Sequence, residues 1–524
     1  MNPDRRPPSA TGPRDAARLR SRKTAPAALH VAIAFVAGAS VMVVELAGIR
    51  LLAPLFGSSL YTWTALIGVV LVAFSLGGYL GGRLADRTTD VRALAALLFV
   101  AALATVLVPP LYGLVLQEFD GLGLIAGPTL LSLLLFTIPG CALGAVSPFV
   151  TRLLALDGAD RRIGRAAGVA SAAGTIGSFV GTFATGFLLV PTFGTRAIFL
   201  GVAVAVGLCA LLLLAAARVR PATDDLAMGA FVGSIAVGLW WLGDFRYSDR
   251  LVELRESRHQ QISVFDAPDD TGRTVRRLFH DTVQQGALIL ETDEVALPYQ
   301  RYWRLAGAYL DRIDRALVIG GGTFGMPRAL ASAWPEARIT TVELDPDVVR
   351  IAQEHFRFTP TSRNRVEVTD ARWFLARDRT RYDLIVGDAY NGVRSIPPHL
   401  TTREFFRTID RRLADGGIYL MNVIGAQRGP QAQVYEAIRH TLASVFDEIH
   451  VYAAHGHPPE RIDNLLIVAG RRPGSPAAGG DTALADLLDT RVTPAPIPPS
   501  TPILTDDFNP VEYLIARTLA AGPP

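Results

Sequence analysis

The chain has 524 residues, 50% of them hydrophobic, with a mean hydropathy of +0.29 and a formal net charge of +3. This length predicts more than one domain, and the hydropathy indicates a chain divided between bilayer and water. So small a charge gives no argument for a nucleic-acid partner. Cys141 and Cys209 both lie in apolar runs, which excludes a disulfide framework and cysteine metal ligands.

The N-terminal half is predicted to lie in a membrane. Residues 1–26 are rich in Pro and Arg and predict a disordered basic tail. Residues 27–244 predict a transmembrane domain of about seven helices, because about 20 apolar residues span a bilayer. The apolar stretches lie near 28–48, 62–82, 92–116, 122–149, 166–190, 196–217 and 226–243. Glycines at helical spacing, such as Gly77 and Gly177, predict close helix packing.

The distribution of arginine predicts how these helices are oriented. Basic residues crowd the N-terminal tail and alternate connections, such as those around Arg87 and Arg162. The apolar stretches predict a multi-pass protein of the cell membrane. The positive-inside rule predicts that its N-terminus is cytoplasmic. Seven full spans would put the C-terminal half outside, whereas a re-entrant or interfacial seventh stretch would keep it inside. The sequence leaves the side of the C-terminal half open.

The C-terminal half is predicted to be an α/β enzyme domain. Residues 251–310 alternate as short strands and predict a small β entry subdomain. In 311–472 strands alternate with helical patterns, which predicts a doubly wound parallel sheet that binds ligands at the carboxyl ends of its strands. Residues 473–500 are rich in Pro, Ala and Gly and predict a flexible linker, and 501–524 predict a docking tail.

Glycines and acids mark the ligand-binding end of that sheet. The glycine loop, residues 320–325, places Gly320, Gly322 and Gly325 in a G-x-G-x-x-G pattern after the first strand. This pattern alone fits a nicotinamide cofactor equally well. Acids end the next three strands: Glu343 in reach of ribose hydroxyls, Asp370 of an adenine amino group, and Asp388 of the reacting group. Such acids repel a pyrophosphate but stabilise a sulfonium cation, which favours an S-adenosyl ligand.

A family resemblance sharpens this reading. Residues 256–472 resemble the spermidine synthases, which are polyamine aminopropyltransferases, and the whole chain resembles the bacterial form fused to a multi-span membrane domain. The segments that carry the resemblance are RHQQISVF, HDTVQQG, PYQRYW, ALVIGGGTFG, TTVELDPDVV, VTDARWF, YDLIVGDAYNG, SIPPHLTTREFF and LTDDFNPVEYL. The resemblance implies a Rossmann-like domain of the S-adenosylmethionine-methyltransferase type.

The resemblance also implies roles at matching positions. An aminopropyl group would move from decarboxylated S-adenosylmethionine to putrescine or a related amine, and methylthioadenosine would leave. Asp388 would be the catalytic base. The implied donor-binding residues are Gly320, Gly322, Gly325, Glu343, Asp370, Ala371, Gln285, Tyr299 and Gln300. The implied amine-binding residues are Gln260, Gln261, Tyr390 and Asn391. A lipid bilayer and a small amine are the expected partners, nucleic acid is not, and a homodimer is left open.

The chain departs from the family pattern at three places. Thr323 stands where the family's glycine loop has an aspartate, Asn391 replaces the second acid of the catalytic loop, and 455–463 has no tyrosine. Two alternatives therefore stay open: an S-adenosylmethionine-dependent methyltransferase, and a transporter or sensor with a non-catalytic polyamine- or adenosyl-binding domain. No metal is expected, because His399, His455 and His457 lack ligand partners at suitable spacing.

Overall fold

The computed structural model describes residues 25–57, 59–119, 122–157, 163–217, 233, 250–390, 396–471 and 476–520. Contacts between residues divide the chain into two compact units, described here one at a time. Asn391 lies outside the described residues, as does most of the predicted N-terminal tail. The same holds for the predicted seventh apolar stretch, 226–243, apart from residue 233.

The first unit is helical. Its helices α1 to α7 span Ala27–Phe56, Leu60–Arg87, Val91–Phe119, Gly123–Gly144, Val146–Asp157, Ile163–Ala184 and Thr195–Ala216. Helix α6 continues through a π-helical turn, Thr185–Leu189, as far as Thr192. Among the described residues, six helices are long and apolar enough to cross a membrane, with α4 and α5 counted together. They coincide with the first six predicted stretches.

Glycine lets these helices approach until their backbones touch. A Cβ atom added to Gly77 in α2 would lie 2.1 Å from the carbonyl oxygen of Cys141 in α4. One added to Gly177 in α6 would lie 2.0 Å from the carbonyl oxygen of Phe35 in α1. Any larger residue would push the helices apart, so the predicted small-residue packing holds at these crossings.

The second unit begins with a small antiparallel sheet. Strands β1 to β4 span Leu251–Glu256, Gln261–Pro268, Thr274–His280 and Val283–Ile289, and they pair in sequence order. Consecutive antiparallel strands need only short turns between them, which the alternating pattern of 251–310 predicted.

The main sheet has eight strands in the order β12-β10-β11-β9-β8-β5-β6-β7. Strands β5 to β12 span Arg315–Ile319, Arg338–Glu343, Asn364–Val368, Tyr382–Gly387, Leu413–Gly425, Glu448–Ala453, Asp463–Gly470 and Arg491–Val492. Strands β9, β8, β5, β6 and β7 are parallel, as predicted. However, β11 is antiparallel to β9, and β10 to β11, so the prediction of a wholly parallel sheet was wrong at this edge. A short loop joins β10 to β11 without a crossover helix, which permits only antiparallel pairing.

Helices cover both faces of the main sheet. Helices α8 to α15 span Ala306–Tyr309, Gly325–Ala333, Pro346–His355, Ala371–Arg377, Arg403–Arg412, Gln433–Ala443, Thr482–Asp489 and Val511–Ala520. Alternate residues of β5 enter separate cores: Leu317 and Ile319 enter one, Ala316 and Val318 the other. A strand buried on both faces reads as a continuous apolar run, as ALVI does here.

The C-terminal region differs in part from prediction. Residues 473–500 were predicted to be a flexible linker, but they contain α14 and β12, and β12 pairs with β10. Helix α14 forms because the Asp481 side chain caps it, accepting hydrogen bonds from the amides of Ala483 and Leu484. In the tail after 500, Leu504 is fully buried, and its backbone amide donates to the Thr441 hydroxyl.

We predict that replacing Gly320, the residue after β5, with any larger residue destabilises the main sheet. Its φ is +95°, and an added Cβ would lie 2.2 Å from the carbonyl oxygen of Asp388. Gly416 is the matched control, with φ +78° and no atom within 4 Å of an added Cβ. Gly416→Ala should cost about 1–2 kcal/mol of backbone strain, and Gly320→Ala at least about 3 kcal/mol because overpacking adds to the strain. The unfolding temperatures of the full-length variants in detergent measure this difference, and equal temperatures would contradict it.

Candidate active site

The glycine loop lies where the strand order of the main sheet reverses. Strand β5 ends at Ile319, and β6 and β7 lie on one side of it while β8 and β9 lie on the other. Ligands of doubly wound sheets bind at this switch point. Gly320 and Gly322 have φ of +95° and +51°, which bends the chain away from the strand and leaves the loop without side chains above it.

Gly325 has a different function from the first two glycines. It is the first residue of α9, and an added Cβ would lie 2.7 Å from the Val295 side chain. The residue before it, Phe324, has φ +55° and is fully buried, with its ring stacked 4.2 Å from that of Phe358. Core packing therefore holds the loop in its bent conformation, and Gly325 contributes to that packing and does not line a cavity.

Glu343 ends β6 directly beside the loop. Its two carboxylate oxygens each accept one backbone hydrogen bond, from Gly321 at 2.7 Å and from Asp345 at 2.9 Å. Burial raises the pKa of Glu343, and these two N–H donors partly oppose that effect. Each oxygen retains room for another donor, so Glu343 can accept two adjacent hydroxyl groups.

Asp370 and Asp345 both cap helices. Asp345 caps α10 through the amide of Asp347, with Pro346 at the first helical position, as the sequence predicted. Asp370 caps α11 through the amide of Trp373, and its other oxygen lies 2.8 Å from Nε2 of His399. Since Asp370 is partly exposed, its carboxylate can still face a ligand.

Asp388 follows β8 and lies against the glycine loop. Its amide donates to the carbonyl of Ile319, and one carboxylate oxygen accepts a hydrogen bond from the Asn422 amide at 3.0 Å. Burial raises the pKa of Asp388, and the hydrogen bond from Asn422 works in the opposite direction. A carboxylate with a raised pKa takes up a proton more readily, which suits a general base.

Most of the predicted site residues line one cavity, which we call the loop cavity. Those predicted residues are Gln260, Gln285, Gln300, Gly320, Gly322, Glu343, Asp370, Ala371, Asp388 and Tyr390. Gln261 is not among the lining residues. Its backbone amide instead donates to the carboxylate of Asp281, the residue after β3.

A second cavity, the tyrosine cavity, shares three side chains with the loop cavity. Both are lined by Gln285, Asp388 and Tyr390. The tyrosine cavity is further lined by Tyr299, Leu297, Val283, Gln284, Asn422, Ile424, His455 and Asn464. Tyr299, predicted with Gln300 at the donor site, therefore lies on the tyrosine side. Its hydroxyl donates to the carbonyl of Gln285, and burial raises its pKa well above the usual range.

Thr323, where the family pattern has an acid, is buried and faces neither cavity. Its hydroxyl lies 3.5 Å from the side-chain amide nitrogen of Gln300. Its buried side chain also packs against Gly286, so closely that a Cβ atom added to Gly286 would clash with it. Thr323 therefore connects the loop to the small sheet and offers no charge to a ligand.

The sequence did not predict several polar groups that line the cavities, among them His280, Asn422 and His455. His280 lines the loop cavity, and burial lowers its pKa to about 3, so it is neutral at physiological pH. Asn422 and His455 line the tyrosine cavity. These residues come from strands and loops far apart in the chain, and no local motif marks them.

The comparisons with known proteins agree with this geometry. Residues 304–455 match the Spermine/spermidine synthase domain. A polyamine aminopropyltransferase of Vibrio vulnificus (strain CMCP6) is 30% identical over 229 residues, which cover 42% of this chain and 71% of the relative. The chain belongs to this family of transferases.

Family similarity extends into the helical N-terminal half of this transferase. A polyamine aminopropyltransferase of Mycobacterium tuberculosis (strain CDC 1551 / Oshkosh) is 26% identical over 520 residues, covering 92% of this chain and 89% of the relative. An eEF1A lysine and N-terminal methyltransferase of Bos taurus is 25% identical over 154 residues, covering 28% of the chain and 22% of the relative.

The hydrogen bond from Asn422 predicts the pH dependence of this transferase. It stabilises ionised Asp388, so Asn422→Leu should raise the pKa of Asp388 further. A base works only when ionised, so activity falls as the pH falls through that pKa. The acid limb of the kcat/KM profile should therefore move to higher pH by about one unit, because a hydrogen bond to a charged group is worth about 1.5 kcal/mol or more.

Asn464→Leu is the matched control for this experiment. The Asn464 amide donates to the Asn422 side-chain oxygen, not to Asp388, so its loss should move the limb far less. A limb that stays in place in Asn422→Leu would show that Asp388 does not set the acid limb.

Proposed function

We propose that this membrane-anchored transferase moves an aminopropyl group from decarboxylated S-adenosylmethionine to putrescine or a related amine, releasing methylthioadenosine. The observation that carries the proposal is the position of Asp388, which lines both the loop cavity and the tyrosine cavity. One carboxylate shared by two adjoining cavities suits a reaction between two bound molecules, because it can serve the bond that forms between them.

The loop cavity suits the adenosyl donor. Gly320 and Gly322 line this cavity without side chains of their own, and Glu343 can accept the two ribose hydroxyls. Asp370 and Ala371 line the same cavity beyond Glu343, where the adenine would lie. The acids of this cavity favour a sulfonium over a pyrophosphate, since like charges repel in a partly buried site.

The tyrosine cavity suits the acceptor amine. An alkylammonium cannot attack because its nitrogen lone pair holds a proton. Asp388 would accept that proton, and the freed nitrogen would form a bond to the methylene carbon next to sulfur. The carbon–sulfur bond breaks, its electron pair stays on sulfur, and methylthioadenosine is the leaving group. The faces of Tyr299 and Tyr390 would favour a cation before the proton moves.

A methyltransferase is the second candidate, and one observation favours it. Thr323 is buried and uncharged, so the loop offers no acid to the free amine that distinguishes the decarboxylated donor. The partial similarity to the bovine methyltransferase points the same way. The similarity to aminopropyltransferases covers far more of the chain and favours aminopropyl transfer. A transporter or sensor role without turnover leaves the shared position of Asp388 unused.

Asp388→Asn tests the proposed function directly. The amide keeps the shape but cannot accept a proton, so methylthioadenosine release should fall by at least about a hundredfold, as is typical when a general base is lost. Asp415→Asn is the control, because the Asp415 side chain is fully exposed. The assay supplies full-length protein with putrescine and with either decarboxylated or ordinary S-adenosylmethionine.

Each outcome of that assay has one meaning. Methylthioadenosine formed only from the decarboxylated donor supports aminopropyl transfer. S-adenosylhomocysteine formed from the ordinary donor would support the methyltransferase instead. Turnover that Asp388→Asn leaves unchanged would remove Asp388 from the catalytic role.

We further propose that the enzyme domain is cytoplasmic. A cytoplasmic N-terminus and the six candidate spans among the described residues would return the chain to the cytoplasm after α7, where the arginines at 218 and 220 follow, and a re-entrant or interfacial 226–243 stretch would keep it there. A green fluorescent protein fused to the C-terminus should therefore fluoresce, whereas one fused after Phe119, following three spans, should stay dark. A dark C-terminal fusion would require an odd number of crossings.

A further inference from the structure

The wall of the tyrosine cavity has one carboxylate, whereas a diamine carries two positive charges. Among its described lining residues, only Asp388 is acidic. A diamine bound there would leave its distal ammonium without a compensating charge, and burying an unpaired charge is costly. The other polar side chains of the wall are amides, tyrosines and His455, so any compensation within this wall must come through one of these.

His455 is backed by a buried carboxylate. Nδ1 of His455 lies 2.6 Å from Oδ1 of Asp463, whose side chain is only 1% exposed. The Asp463 carboxylate also accepts from the backbone amides of His455, His457 and Asn464. An ionised carboxylate can only accept hydrogen bonds, which fits this set of N–H donors. Nδ1 of His455 must therefore carry the hydrogen.

This pairing determines what His455 presents to the cavity. With hydrogen on Nδ1, a neutral imidazole has its lone pair on Nε2. No hydrogen-bond partner for Nε2 lies among the residues that the structure describes. A neutral His455 with an ionised Asp463 would carry one negative charge, and Nε2 is the ring nitrogen left to meet a ligand.

We propose that His455, held by Asp463, binds the distal ammonium of a diamine acceptor. The proposal rests on the proposed function and deepens it: Asp388 serves the reacting nitrogen, and Nε2 of His455 accepts a hydrogen bond from the other. The buried Asp463 then supplies the second negative charge from behind the ring. His455 is thus a specificity-determining residue that selects diamines over monoamines of equal length.

The test measures binding separately from turnover. Isothermal titration of the full-length protein with 1,4-diaminobutane and with 1-aminobutane, in saturating methylthioadenosine, compares acceptors that differ only at the distal end. The wild type should prefer the diamine. His455→Leu should weaken diamine binding between about threefold and tenfold, the worth of one partly exposed hydrogen bond, and leave monoamine binding within about twofold.

Two further variants separate hydrogen bonding from general packing. His455→Gln retains an acceptor oxygen and should restore part of the diamine preference. His457→Leu is the matched control: the His457 ring stacks on that of His455 but does not line the cavity, so binding should stay unchanged. An equal loss for both amines in His455→Leu, no loss for either, or no preference in the wild type would each overturn the proposal.

Turnover then separates this inference from the proposed function. Compared with the wild type, His455→Leu should have a higher KM for the diamine and a nearly unchanged kcat, because the distal nitrogen does not react. A diamine preference that depends on His455 but yields no methylthioadenosine would uphold this inference and refute the transferase reaction. Methylthioadenosine release with equal KM for both amines would do the reverse.

Discussion

The site depends on one close contact between two backbone segments. Gly320, leaving β5, lies so near the carbonyl of Asp388, leaving β8, that no side chain fits between them. The two strands are neighbours in the sheet although β6 and β7 intervene in sequence. The chain leaves both strands at the switch point, and Asp388 there lines both the loop cavity and the tyrosine cavity. A bulkier residue at 320 would close that arrangement.

Burial and hydrogen bonding then set the charge of each acid. Glu343 and Asp388 are both buried, which raises their pKa values, and each has N–H donors that favour the ionised form. Asp463 lies further from these two acids, and backbone amides of His455 and Asn464 donate hydrogen bonds to its carboxylate. Glu343 and Asp388 therefore lie in the cavity walls, and Asp463 lies behind the ring of His455.

Two departures from the family pattern have a physical explanation in the structure. Thr323 is buried and bound to Gln300, so the missing acid of the loop is replaced by packing and not by another charge. The missing tyrosine of 455–463 coincides with a histidine that has its own buried partner. The first change leaves the donor's amine without a charged partner in the loop. The second change is where we propose that the distal ammonium of the acceptor binds.

Much of this protein could be predicted from sequence because the signals are local. Six apolar stretches, the parallel order of β5 to β8, and acids at three strand ends all follow from patterns within a few residues. The antiparallel edge was mispredicted because strand direction depends on the connection, and the apolar runs of β10 and β11 look the same in either direction. The ordered segment at 482–492 was missed because its stability comes from a cap and from pairing with a distant strand.

The sequence by itself determined the long apolar helices, the α/β domain and the identity of the acids at the strand ends, since each depends on periodicity or on neighbouring residues. Only the tertiary structure decided which side chains share a cavity. Asp388, Tyr299 and His455 are far apart in the chain and carry no common motif. They meet because the end of β8, the 3₁₀ turn Pro298–Leu305 and the loop before β11 converge at the tyrosine cavity, and that convergence is a property of packing that no local pattern encodes.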